Sequence, residues 1–116
     1  MTIRMKTGDT APHVHAVLLD ATGDPVDLAA ATVRFILATR GWLEVRVDAP
    51  ADMLQIGNGT DGSRGLVRYA WAEGDTAEAG TYDVEFEVTY ADGTVQSFPT
   101  EGYVDCVFEE DLGGTR

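Results

Sequence analysis

Apolar and polar residues alternate with a period of two along most of this chain, the spacing of strands that bury one face. The alternation is strongest over Thr81–Tyr90. There Tyr82, Val84, Phe86, Val88 and Tyr90 share one face, and Asp83, Glu85, Glu87 and Thr89 share the other. That pattern predicts a half-buried antiparallel strand. Ala91-Asp92-Gly93-Thr94 follows it. Asp-Gly between two apolar runs is a hairpin signal, so Val95–Phe98 is expected to return antiparallel and stop at Pro99. The same period places Val14, Ala16 and Leu18 inward over His13–Leu19, and Val33, Phe35 and Leu37 inward over Thr32–Leu37. It groups Leu43, Val45 and Val47 over Trp42–Asp48, and Val104, Cys106 and Phe108 over Tyr103–Phe108. Leu66–Trp71 is rich in β-formers, Val26–Leu28 is a short extended piece, and Asp52–Ile56 is a weaker strand.

Turn formers separate these runs: Asp20–Pro25, Gly41, Pro50, and Gly57–Ser63 with its three glycines. Only Ala72–Gly80 could hold a helical turn, and no βαβ alternation occurs. Seven to eight short strands with frequent turns predict an all-β chain, an immunoglobulin-like antiparallel β-sandwich in a single domain over 1–116. Tyr82 stands at the start of the best strand, where such sandwiches carry a tyrosine whose hydroxyl bonds back to upstream backbone. Its partner is expected within Asp75–Ala79.

Charge narrows the partners. Twenty acidic residues against eight basic ones give a net charge of −12. A surface of that sign argues against nucleic acid and anionic membranes, and no run approaches the roughly 20 apolar residues of a membrane span. Arg4 and Lys6 are followed by no apolar run, which is not the pattern of a secretory signal. Cys106 is the one cysteine, so no intrachain disulfide forms, as suits synthesis in a reducing cytoplasm. Its alternating neighbours predict a small core side chain rather than a nucleophile.

Candidate chemistry is sparse. His13 and His15 lie two apart on one strand face, but a stable metal site needs three or four ligands and there is no third histidine. Asp83, Glu85 and Glu87 form a carboxylate ladder. Asp24, Asp61 or Asp92 could extend it, yet no spacing matches a calcium loop. Gly57-Asn58-Gly59 and Gly62 lack the lysine and the following helix of a phosphate loop. The expectation is no catalytic, cofactor-binding or metal residues, no cofactor, and no enzyme.

Two segments resemble a known family. Lys6–Leu37 reads Gly-Asp-Thr-Ala-Pro, an acidic turn, Gly-Asp-Pro-Val-Asp-Leu, then Ala-Thr-Val-Arg-Phe. Gly65–Leu112 reads Tyr-Ala-Trp, Gly-Asp-Thr, Ala-Gly-Thr-Tyr, Glu-Phe-Glu-Val-Thr, Asp-Gly-Thr and Phe-Pro, with an acidic end. In order and spacing these resemble the N-terminal immunoglobulin-like domain of the baseplate upper protein of siphophages, also found in short stand-alone virion proteins. Ala29-Ala30-Ala31 departs from the Thr-Gly-Ala of relatives, and no receptor-binding extension is expected after Arg116.

The resemblance implies a non-enzymatic structural subunit of a tailed-phage virion, in tail, baseplate, neck or capsid, made in the host cytoplasm. It would contact other phage ring or shell proteins in multiple symmetric copies. Gly57–Arg64 and the termini Met1–Lys6 and Glu109–Arg116 are expected to order against neighbours. The alternative is a carbohydrate-binding or adhesion module using Trp42, Tyr69 and Trp71.

Overall fold

The structure, a computed structural model, describes residues 2–41, 44–55, 65–99 and 102–112. Its strands are β1 (Thr2–Lys6), β2 (Val14–Val17), β3 (Thr32–Thr39), β4 (Val45–Pro50), β5 (Asp52–Gln55), β6 (Leu66–Tyr69), β7 (Gly80–Thr89), β8 (Val95–Phe98) and β9 (Val104–Glu109). They form two sheets. One has the order β1-β9-β7-β3-β4, with β8 also on β7, and the other is β2-β6-β5. This is the all-β, immunoglobulin-like sandwich that the alternation predicts.

Three expectations are corrected. The described residues hold nine strands rather than seven or eight. The extra one is β1, which pairs parallel with β9 in an otherwise antiparallel set. The N-terminal segment is therefore already docked on its own sheet, with Met5 buried. Val45 and Val47 do not share a face. The register skips a residue between Leu37 and Ala38, and a bulge of that kind reverses the faces beyond it. Val47 is buried and Val45 is 57% exposed.

Phe35 sits at the middle of the core, fully buried. Its ring stacks on Tyr69 with centroids 4.3 Å apart and meets Phe86 at 5.4 Å and Trp71 at 5.5 Å edge-on. The expected inward residues are buried, except that Ala16 and Val104 are half-buried against the core.

The expected tyrosine corner is present. The Tyr82 hydroxyl donates to the Glu78 carbonyl at 2.7 Å. Arg46 clamps the same residue from outside with two bonds to the Glu78 carboxylate, at 2.8 and 3.0 Å, and this holds Glu78 below the usual carboxylate range. Tyr82→Phe is expected to lower unfolding stability by about 0.5–1.5 kcal/mol, the net value of one buried hydrogen bond. An unchanged urea midpoint would show that the corner contributes nothing.

The β7–β8 hairpin also forms. Tyr90 N–H donates to the Thr94 carbonyl at 2.8 Å, and Gly93 N–H donates to the Tyr90 carbonyl at 2.9 Å. Gly93 has φ of +87°, the left-handed residue of a three-residue hairpin loop.

Candidate functional site

The three-stranded sheet ends at β2 and the six-stranded sheet at β1, and these two strands line a common depression. Because β1 pairs with β9 and not with β2, both edges stay open among the described residues. The phase of β2 can be read from one bond: Leu18 N–H donates to the Gly65 carbonyl at 2.9 Å. Backbone groups alternate in direction along an antiparallel ladder. Val14 and Ala16 therefore turn their N–H and C=O groups toward β6, and His15 and Val17 turn theirs to the open edge.

Open edges are normally blunted with charge or proline. Arg4 and Lys6 do this on β1, Pro50 on β4 and Asp52 on β5. β2 is Val-His-Ala-Val, with no lysine, arginine, carboxylate or proline.

Beneath this edge the sandwich is incompletely filled. A groove of about 350 Å³ runs between the sheets, walled on one side by Val14, Ala16 and Leu18 of the β2 segment. Ile3, Val84, Phe86, Phe98 and Val104 of the six-stranded sheet form the other side. Val84 opposes Val104 on β9, and Phe86 opposes Phe98 on β8. A second depression of about 240 Å³ shares Ile3 and Val14 and adds Arg4, Pro12, His13 and His15. Together they follow the edge of β2 from Pro12 to Leu19. Val17 and Leu19 are nearly half exposed at the rim, at 45% and 47%.

The residues weighed from sequence do not converge. His13 and His15 are exposed on the β2 segment. Asp83 is held by Arg40 at 3.1 Å, and Arg40 also binds Asp105. Glu85 lies half-buried in a shallow depression with Ile36, Val45 and Tyr103, where burial and nearby Glu87 push its carboxyl up. Asp92 accepts from Thr94 N–H at 2.9 Å and from its hydroxyl at 2.7 Å within the hairpin turn. Asp24 belongs to the turn after β2. Asp61, Gly57, Asn58, Gly59 and Gly62 lie outside the described residues, as does Trp42. Among the described residues no three His, Cys, Asp or Glu side chains come together as a metal site. Cys106 is fully buried, and burial pushes its thiol up to about 12, so little thiolate is present at neutral pH.

No family model matches the chain, and no curated protein matches it. Among solved structures it is similar to CopC from Methylosinus trichosporium OB3b. The TM-score is 0.50 and the identity 16%, over 96% of this chain and 88% of that one. At that identity the likeness is one of fold. It overturns the expectation of a tailed-phage virion subunit: the solved structure that this chain resembles is CopC, and nothing in the comparisons is a phage protein. One sandwich hosts many functions. Of the aromatics expected to serve a carbohydrate-binding module, the two described are not exposed. Tyr69 and Trp71 belong to the buried core, and the Trp71 indole N–H is satisfied by the Pro12 carbonyl at 3.1 Å.

Proposed function

We propose that this chain is a non-catalytic binding module that takes an extended segment of a partner protein along the open edge of β2. One observation carries the reading: an unblunted sheet edge lies directly over an apolar groove. In strand addition, main-chain hydrogen bonds supply affinity and pockets for alternate side chains supply specificity. Here His15 and Val17 offer the outward backbone groups. The groove between Ile3, Ala16, Phe86 and Val104 offers a place for every second side chain of the segment. The CopC likeness enters only as a scaffold, since the described residues bring no metal-ligand set together.

A nine-residue peptide of alternating valine and threonine, with serine at both ends, is the probe. It is expected to bind and to shift the amide NMR signals of His15 and Val17. Val17→Pro removes an N–H that the β6 ladder does not use, and proline is tolerated on edge strands. It is expected to weaken binding about tenfold, through one lost backbone bond and a ring in the peptide's path. Val17→Ala keeps the N–H and trims only a side chain at the rim of the groove, so it is expected to lose clearly less than the proline variant. Equal binding by the proline variant, or equal loss in both, would sink the reading.

A further inference from the structure

We infer, resting on the strand-addition reading above, that the segment taken at this edge carries a large aromatic side chain directly opposite Ala16. Ala16 sets that preference because it is too small to fill its part of the groove.

Val14, Ala16 and Leu18 of the β2 segment all line the groove. Val14 and Leu18 are almost fully buried. Ala16 between them is only half-buried, and so are Ile3 of β1 and Val104 of β9, which line the same groove. The apolar surface left uncovered there comes from one residue of the small sheet and two of the large one. A group that covers all three must sit between the sheets. Behind Ala16 the packing is closed: its neighbour on β6 is Val67, which is fully buried and does not line the groove. The space lies toward the open edge.

Strand pairing delivers a side chain to that space. Paired residues on neighbouring strands point to the same face of a sheet in either strand direction, with Cβ atoms about 4.5–5.5 Å apart in an antiparallel pair. The residue opposite Ala16 therefore points into the groove whichever way the segment runs. Ala16 turns its backbone groups toward β6. In an antiparallel segment it meets its partner in the non-hydrogen-bonded kind of pair, where side chains come closest.

Size follows from volume. A dry cavity of about 150 Å³ holds a benzene molecule, and this groove measures about 350 Å³. It takes a phenyl ring with space to spare, and valine fills less of it. A ring also finds aromatic partners. Phe86 and Phe98 lie opposite each other across the β7–β8 ladder, and both line the groove. Rings in contact gain from offset or edge-to-face packing beyond the area they bury.

Three capped peptides test this. All keep the serine ends and the alternating threonine and valine, and the middle residue is valine, phenylalanine or alanine. On the parent protein, the phenylalanine peptide is expected to bind about tenfold tighter than the valine one and about a hundredfold tighter than the alanine one, from added apolar burial. Its ring is expected to show NOE contacts to the Ala16 methyl group. Ala16→Leu places the missing bulk on β2 itself, and the spread between phenylalanine and alanine is expected to fall below about threefold. Ala16→Val is the milder change, with an expected spread of about tenfold. An undiminished spread in both variants, or no contact between the ring and the Ala16 methyl group, overturns the anchor. Equal binding of the three peptides to the parent also overturns it. In each of these cases the valine peptide still binds and Val17→Pro still weakens it, so the strand-addition reading stands. A failure of all three peptides to bind the parent removes both.

Discussion

Phe35→Ala is expected to lower unfolding stability by about 3–5 kcal/mol, a large part of the roughly 5–15 kcal/mol that holds a domain together. The ring is fully buried and lies between the sheets. It reaches from β3 to Tyr69 on β6, and Phe86 faces it across the β3–β7 ladder. Truncation would remove transfer energy and leave a cavity, and it would also strip the stacking partner from Tyr69. Aromatic pairs add about 0.5–1.5 kcal/mol each beyond area burial, so the upper half of the range is expected. Collapse is hindered because the surrounding rings are tied down at their polar ends. The Tyr69 hydroxyl donates to Asp75, and the Trp71 indole donates to Pro12. Phe35→Leu keeps most of the volume and is expected to cost much less. Chemical denaturation of both variants checks this. A loss under about 1 kcal/mol for alanine would mean that the two sheets do not meet around this ring.

Why Phe35 was legible, and the groove was not, is a matter of range. The facing of Phe35, Val84, Phe86 and Phe108 follows from strict period two within single strands, and so does the hairpin at Gly93. Tyr82 was readable because its bond to Glu78 spans only four residues. β1 was missed because Thr-Ile-Arg-Met-Lys offers just two apolar side chains. Its place is fixed by β9, about a hundred residues later, in a parallel pairing. Alternation puts Val45 on the wrong face because a bulge leaves no mark in it. Val14, Ala16 and Leu18 were read as a core face, and they are. That the core opens beneath them depends on β1 taking the edge of β9 instead of the edge of β2, which is not encoded near β2. The function implied by the motif resemblance was not legible either, because one sandwich hosts many functions.

Gly65→Ala is expected to cost more than about 2 kcal/mol, and to disturb the groove as well as the fold. Gly65 has φ of +83°, where an L side chain loses about 1–2 kcal/mol. Its surroundings add to this. A Cβ built there would stand 2.9 Å from the Leu18 carbonyl oxygen, 3.1 Å from the Val26 oxygen and 3.2 Å from the Val26 nitrogen. All three are backbone atoms and cannot swing aside. They are also tied to one another. Leu18 N–H bonds the Gly65 carbonyl, and Val26 N–H bonds the Leu18 carbonyl, both at 2.9 Å. Relief of the clash must therefore move the end of β2, the strand whose open edge is proposed to bind. Gly93 is the control. Its φ is +87°, yet a Cβ there meets nothing within 4 Å, so Gly93→Ala should cost only the backbone term. By the usual scaling for a domain near this size, Gly65→Ala is expected to lower the melting temperature by about 10 °C, and Gly93→Ala by about half as much. Only Gly65→Ala is expected to weaken binding of the valine–threonine peptide. Equal melting shifts in the two variants would mean that Leu18 and Val26 do not close on Gly65.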